Sequence, residues 1–209
     1  MKTASTEKKP AGKATSKEPI DILIVGVGGQ GIILASRIIS QALVYAGYDV
    51  KQSEVHGMAQ RGGAVSSHIR AGEKVYSPLI PYDSARYMLS FESLEALRYM
   101  SYIYAGSTVL LNDQKIDPPS VASGQQQYPP DVIERIKKKA KDVRVIPAAD
   151  VAFELGNERV VNVILTGALA GNLPVSRKIW MKTLSELVPA KLMEINTKAF
   201  ERGMQFSDR

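Results

Sequence analysis

The sequence predicts an α/β protein with a Rossmann-like, mostly parallel sheet and a helical C-terminal segment. An apolar run at residues 22–25 leads directly into glycines 26, 28 and 31 at G-x-G-x-x-G spacing, and a helical pattern begins at Ile32. Strand and helix patterns alternate up to residue 150, and only helical patterns follow. The length of 209 residues and the hydrophobic fraction of 44% suit one domain with a sizeable core.

Each glycine of the motif is expected to have a separate structural role. We expect Gly26 to permit a tight turn after the first strand, Gly28 to let the backbone approach another group, and Gly31 to let the helix pack against the strand. The helix N-terminus would then present free N–H groups and a partial positive charge to an anion. The same spacing also fits glycines that build only the turn and its packing.

Hydrophobic spacing and the Gly and Pro signals predict the remaining elements in order. Strands are expected at residues 48–55, 65–70, 75–78, 85–91, 108–111 and 143–146, and helices at 32–46, 94–104, 131–141, 151–155, 160–170, 177–187 and 189–205. Gly47 is expected to end the first helix, and Ser93 to cap the second. Residues 117–130 hold four prolines and are predicted to form a loop.

Residues 1–19 have a composition typical of disorder, so residues 20–209 are predicted to form a single domain. This leader holds five lysines and two glutamates, a surplus of three out of the formal net charge of +6. It also lacks the apolar core of a secretory signal, so we expect a cytoplasmic protein with no membrane contact. A polyanion-binding arm and a tether to a partner are the alternatives. The chain has no evident stacking platform of aromatic residues, so no nucleic-acid partner is expected.

The side-chain inventory contains no complete catalytic set. The chain has no cysteine, which excludes disulfides, thiolate nucleophiles and an iron–sulfur cluster held by this chain. Its two histidines argue against a self-contained zinc site. A G-D-G thiamine motif and a P-loop are also missing. His56 is a candidate acid or base, although a single histidine in a glycine-rich loop more often serves as a hydrogen-bonding residue.

A second glycine-rich loop, HGMAQRGG at residues 56–63, indicates a backbone shaped to meet another molecule. The planar guanidinium of Arg61 can bind two oxygens of a phosphate or carboxylate, and an ion pair with Glu54 is the competing interpretation. Glu54 lies 23 residues after Gly31, near the place where a Rossmann enzyme holds the ribose hydroxyls of NAD. A free-standing NAD(P)-binding reductase is therefore the alternative function, although no hydride-transfer constellation follows.

Two motifs in series resemble the gamma domain of the 2-oxoacid:ferredoxin oxidoreductases. They are GVGGQGI at residues 26–32 and SEVHGMAQRGG at residues 53–63, with weaker similarity continuing to residue 204. The second motif is most similar to the indolepyruvate-type members of that family. Thr166 is a small departure, because a Leu or Gly is expected at this position.

The resemblance implies a heteromeric enzyme that oxidatively decarboxylates aryl 2-oxoacids. Its products would be an acyl-CoA, CO2 and reduced ferredoxin, with coenzyme A as co-substrate. Thiamine diphosphate, Mg and [4Fe-4S] clusters would belong to the large alpha subunit, and ferredoxin would act through the complex. This chain would hold no cofactor by itself, would complete the site, and would be inactive alone.

The resemblance and the loop chemistry together single out nine candidate site residues, none of them catalytic and none a metal ligand. Backbone N–H groups of the glycine turn are expected near the CoA phosphates or a partner loop, and Arg61 is the best side chain for a phosphate or carboxylate. The other side chains would support Arg61 or line the subunit junction. The nine are Gly26, Gly28, Gly29, Gln30, Gly31, Glu54, His56, Gln60 and Arg61. Asn162 and Asn196 fit helix caps or inter-helix hydrogen bonds better than chemistry.

Overall fold

A computed structural model describes residues 17–56 and 63–207 and shows a six-stranded sheet. The strands are β1 (Ile20–Val27), β2 (Asp49–His56), β3 (Ala64–Gly72), β4 (Tyr87–Ser90), β5 (Thr108–Asn112) and β6 (Asp142–Ile146). Their order in the sheet is β2-β3-β1-β4-β5-β6. β1, β4, β5 and β6 pair in parallel, whereas β3 runs antiparallel to both β1 and β2. Five of the six strands therefore point the same way, which confirms the predicted mostly parallel sheet.

Eight helices connect and follow these strands in the described ranges. They are α1 (Ile32–Tyr45), α2 (Ser93–Arg98), α3 (Pro119–Ala122), α4 (Val132–Lys139), α5 (Ala148–Glu154), α6 (Val161–Ala170), α7 (Arg177–Leu187) and α8 (Met193–Met204). Short 3-10 turns lie at Met100–Tyr102, Glu158–Val160 and Ala190–Leu192. None of these helices has the length and apolar character needed to cross a bilayer.

Of the two predicted helix-end residues, Gly47 agrees with the structure and Ser93 does not. Gly47 has φ of 84° directly after α1, as a C′ glycine should. The predicted Ser93 cap is wrong, because the carboxylate of Glu92 accepts the Glu95 N–H at 2.8 Å and takes the cap position itself. α2 is also shorter than expected, and the Tyr104 N–H donates to the Ser107 hydroxyl instead of continuing a helix.

The expected edge strand at residues 75–78 is absent, and this segment is irregular. The Val75 N–H donates at 2.9 Å to the carboxylate of Asp49, so it is not available for a strand ladder. Pro78, at the end of the segment, has no N–H to contribute. β2 is thus the edge of the sheet on this side.

The sheet is covered on both faces, and its two hydrophobic clusters differ in size. α1 and the C-terminal helices form the larger cluster with one face of β1, including Ile22 and Ile24, while α2 and α4 cover Leu23 and Val25 on the other. Trp180 and Phe200 meet in the larger cluster, with ring centroids 5.6 Å apart, and both are fully buried. The helical C-terminal segment therefore closes one face of the sheet.

Candidate functional site

The glycine turn lies at the carboxyl end of β1, where the chain leaves the sheet and enters α1. Gly26 is still part of β1, and the left-handed backbone conformations fall on Gly29 (φ 105°) and Gly31 (φ 82°). The expectation that Gly26 makes the tight turn is therefore wrong. Its lack of a side chain serves packing, since a Cβ there would lie 2.7 Å from the Cβ of Phe91 and 2.6 Å from the Gln30 Oε1.

Backbone N–H groups of the four residues 28–31 were expected to face a ligand, and two of them are used inside the chain. The Gly28 N–H donates at 2.9 Å to the carbonyl of Gly63, which ties the turn to the start of β3, and the Gln30 N–H donates at 3.2 Å to Val27. The N–H groups of Gly29 and Gly31 donate to no carbonyl in the described part of the chain. These two, with the first turn of α1, form the donor surface that this site can offer to an anion.

The Gln30 side chain has a role that the sequence did not reveal. Its Oε1 accepts the Val27 N–H at 2.7 Å, and its Nε2 donates to the Phe91 carbonyl and to the Gln114 Oε1, both at 3.0 Å. One amide thus joins the ends of β1 and β4 to the segment after β5. The only signal in the sequence was a polar side chain between glycines, because its partners lie 61 and 84 residues away.

Asn162, in the first turn of α6, holds the other side of the turn. Its Nδ2 donates to the Gly31 carbonyl at 3.4 Å, and a Cβ at Gly31 would come within 2.6 Å of that nitrogen. This contact agrees with the expected inter-helix hydrogen bond. Asn196 instead bonds locally, donating to the Leu192 carbonyl at 2.8 Å.

Glu54 faces α1 and lies away from the end of β1. Its carboxylate accepts the Gln52 Nε2 at 3.1 Å and the Ser36 hydroxyl at 3.4 Å. Because β3 lies between β1 and β2, the strand that carries Glu54 is two strand spacings from β1, roughly 9–10 Å. A Rossmann enzyme needs that carboxylate on the strand next to β1, so this geometry disfavours the ribose contact.

Two of the predicted site residues, and the side chain of a third, fall outside what the structure describes. Gln60 and Arg61 lie in the undescribed residues 57–62, and only the backbone of His56, the last residue of β2, is described. Their expected roles at a phosphate or a subunit junction stay predictions. Whether Arg61 pairs with Glu54 stays open for the same reason.

A buried carboxylate organises the segment beside the turn. Glu92, 1% exposed, accepts the Tyr128 hydroxyl at 2.6 Å and the Ile116 N–H at 3.1 Å in addition to capping α2. Burial and the bond to Glu92 raise the pKa of the Tyr128 phenol well above its ordinary value, so this phenol stays a donor. Glu92 therefore fixes the long connection after β5 beside Gln114. No local pattern predicts these contacts, because the partners lie 24 and 36 residues away.

His68 is a buried structural residue of β3. It is 4% exposed, its Nδ1 accepts the Ile80 N–H at 3.3 Å, and burial lowers its pKa. It borders an open cleft of about 390 Å³ with Tyr82 and Tyr102. Among the described residues, no group of three or more carboxylate, imidazole or thiol side chains could hold a metal ion.

Comparison with known proteins places this arrangement in a family. The pyruvate ferredoxin/flavodoxin oxidoreductase family matches residues 21–206. The indolepyruvate oxidoreductase subunit IorB of Archaeoglobus fulgidus is 38% identical over 188 residues, which cover 88% of this chain and 93% of that protein. The 2-oxoglutarate synthase subunit KorC of Methanothermobacter marburgensis is 29% identical over 189 residues, 88% of this chain and 95% of that protein.

A solved structure shows the same fold at lower sequence identity. The 2-oxoglutarate:ferredoxin oxidoreductase of Magnetococcus marinus, solved with 2-oxoglutarate, coenzyme A and succinyl-CoA bound, matches 91% of this chain and 31% of that chain, with a TM-score of 0.73 and 21% identity. The family match and the IorB similarity both span most of the sequence. The chain therefore belongs to the pyruvate ferredoxin/flavodoxin oxidoreductase family.

Proposed function

We propose that this chain is the small, site-completing subunit of an indolepyruvate-type 2-oxoacid:ferredoxin oxidoreductase. The observation that carries the proposal is the 38% identity to an indolepyruvate oxidoreductase subunit over nearly its full length, compared with 29% to a 2-oxoglutarate synthase subunit. The reaction is the oxidative decarboxylation of an aryl 2-oxoacid with CoA, giving an acyl-CoA, CO2 and reduced ferredoxin.

The side chains of this chain support a division of labour between the subunits. The chain has no cysteine to hold a cluster, and its described glycine turn offers backbone donors without a nucleophile or a titratable base. We therefore assign thiamine diphosphate, Mg and the [4Fe-4S] clusters to a large alpha subunit, which also supplies the substrate pocket. The complex works in the cytoplasm, where its ferredoxin partner accepts the electrons.

The contribution of this chain is a surface that accepts negative charge at the subunit junction. The N–H groups of Gly29 and Gly31 at the start of α1 suit the phosphates of CoA or an acidic loop of the large subunit. The resemblance also implies a phosphate or carboxylate contact for Arg61, whose guanidinium is planar and permanently charged. The NAD(P)-dependent reductase is disfavoured, because β3 separates Glu54 from β1.

The test is reconstitution of the purified chain with the large subunit. We expect no turnover by either subunit alone, and CoA-dependent reduction of ferredoxin with indolepyruvate after mixing. The conservative variant Arg61→Lys should raise the KM for CoA about tenfold, because an ammonium cannot bind two oxygens in one plane. The KM for indolepyruvate should stay unchanged.

Two results would contradict the proposal. One is full CoA-dependent activity of the large subunit without this chain. The other is measurable binding of NADH to this chain in calorimetry, abolished by Glu54→Gln, which would restore the reductase.

A further inference from the structure

The open cleft beside His68 is bordered by exposed apolar side chains. It has a volume of about 390 Å³, and Val55, Leu79 and Tyr82 lie on its border. These three residues are 49%, 53% and 67% exposed, respectively. Single exposed apolar residues are ordinary on a protein surface, but three around one cleft form a patch of the kind that marks an interaction site.

The inner wall of the cleft is formed by aromatic rings in contact with one another. The Tyr102 ring centroid lies 4.8 Å from that of Tyr82, 6.0 Å from that of Tyr99 and 5.4 Å from that of His68. Because Nδ1 of His68 accepts the Ile80 N–H, the neutral imidazole carries its hydrogen on Nε2. That Nε2–H donates to no group in the part of the chain that the structure describes. The cleft thus combines an apolar wall with one unused donor.

The cleft reaches the same end of the sheet as the glycine turn. Val55 pairs with Ser66, and Ser66 pairs with Val25, two residues before the end of β1. Val55 is followed directly by His56 and by residues 57–62, the loop that is predicted to meet a subunit junction. The apolar border of the cleft therefore continues the surface at which the proposed function places the large subunit.

An interface with a large subunit needs more surface than the glycine turn offers. A stable protein–protein interface buries about 800 Å² on each partner, and its binding energy is concentrated in a few buried anchors that are often aromatic. The turn itself contributes the backbone N–H groups of Gly29 and Gly31. An apolar cleft on the adjoining surface supplies the kind of contact that these polar donors lack.

We propose that the large subunit inserts an apolar side chain into this cleft, an inference that rests on the proposed function. The inserted side chain packs against the tyrosine rings, and a carbonyl of the same segment accepts the Nε2–H of His68. Val55 and Leu79 are then buried in the heteromer. No Asp, Glu, Lys or Arg is among the described residues that line the cleft, so it favours an apolar segment over a charged one.

Calorimetric titration of the purified chain with the large subunit tests this docking site. The variant Val55→Glu/Leu79→Glu should weaken the association on the order of a hundredfold, because two carboxylates would have to leave water at the anchor. The variant Val55→Ile/Leu79→Met keeps the border of the cleft apolar and should retain an affinity close to that of the wild type.

The matched control is Val44→Glu/Leu192→Glu, which makes the same charge change at two exposed apolar residues outside the cleft. Its affinity for the large subunit should stay near the wild-type value. Urea unfolding of each isolated variant checks that it folds. If Val55→Glu/Leu79→Glu does not fold, Tyr82→Ala decides instead, with Tyr76→Ala as its control, because both tyrosines are mostly exposed. Tyr82→Ala should weaken the association on the order of tenfold or more.

Equal weakening in a control, or wild-type affinity in the cleft variants, would overturn the docking site. Self-association of the isolated chain that Val55→Glu/Leu79→Glu abolishes would make a second copy the occupant. Binding of indolepyruvate to the isolated chain, lost in the same variant, would make the cleft a small-molecule site. A heteromer that forms but oxidises no 2-oxoacid would refute the proposed function and leave the docking site intact, whereas no association with the large subunit would overturn both.

Discussion

At the scale of single residues, the glycine turn is held by polar side chains that come from distant parts of the chain. Gln30 joins the ends of β1 and β4, and Asn162 meets Gly31 from 131 residues away. Gly31 is constrained twice, because its φ of 82° is unfavourable for other residues and the Asn162 amide occupies the place of a Cβ. The donor surface of the turn therefore depends on this contact.

Gly31→Ala should lower the free energy of unfolding by about 2–4 kcal/mol, because backbone strain and overlap with Asn162 both act. Gly124→Ala is the matched control. Gly124 has a similar φ of 76°, but no atom lies within 4 Å of its Cβ position, so about 1 kcal/mol of strain is expected alone. Urea unfolding of the two variants measures the difference.

The double variant Gly31→Ala/Asn162→Ala separates the two causes at Gly31. Removing the amide should recover part of the loss, because it clears the space that the new methyl group needs. Equal losses for Gly31→Ala and Gly124→Ala would show that the contact with Asn162 has no energetic weight.

At the scale of secondary-structure elements, α6 and α8 pack backbone against backbone. A Cβ at Gly203 would overlap with the Ile164 carbonyl, and one at Gly167 would overlap with the Phe200 carbonyl. The two glycines thus form a reciprocal contact that no larger residue can replace without moving a helix. Phe200 of α8 also packs against Trp180 of α7 in the main cluster.

Gly203→Ala should destabilise the protein by about 3 kcal/mol or more, even though alanine favours helices more than glycine does. Helix propensity alone predicts that this substitution raises the free energy of unfolding by about 1 kcal/mol. A decrease in the free energy of unfolding would therefore reflect the packing of the two helices. Thermal or urea unfolding is the measurement. Lys198→Ala, at an exposed position of the same helix, should change stability by less than about 0.5 kcal/mol. A stabilised Gly203→Ala variant would contradict the observed helix contact.

At the scale of the whole molecule, one antiparallel strand distinguishes this sheet from a dinucleotide-binding one. β3 pairs with β1 over eight positions, from Ile20 with Ala71 to Val27 with Ala64. It thereby displaces β2 to the edge of the sheet and carries Glu54 away from the turn. The same strand carries His68, which is buried beside the cleft that Tyr82 and Tyr102 line.

His68 should make stability depend on pH below neutrality. Burial lowers its folded-state pKa below the ordinary value of 6.5, so the unfolded chain binds the proton more readily. Stability is thus complete above pH 6.5 and falls as the pH drops from 6.5 towards the folded-state pKa. Urea unfolding between pH 5 and 7.5 should show this slope, and His68→Gln, which keeps an acceptor for the Ile80 N–H, should reduce it. An unchanged slope in the variant would assign the effect to other groups.

The sequence by itself determined the class of fold and most of its elements. Hydrophobic periodicity and helix-breaking residues are local signals. They predicted α7 at its observed bounds, Arg177–Leu187, and Gly47 as the end of the first helix. The two glycine motifs indicated the family that the comparisons confirmed. The first motif also indicated where the chain turns between β1 and α1, because Gly29 and Gly31 adopt positive φ angles that other residues rarely adopt.

Only the tertiary structure decided which groups meet. The insertion of β3 between β1 and β2, the capture of the Val75 N–H by Asp49, and the pairing of Glu92 with Tyr128 all join residues that are far apart in sequence. Each of these pairings depends on which partner forms a hydrogen bond with a polar group once water is excluded. Local sequence patterns do not contain this information. The order of the strands, and with it the position of Glu54, therefore depends on packing and hydrogen bonding across the whole domain.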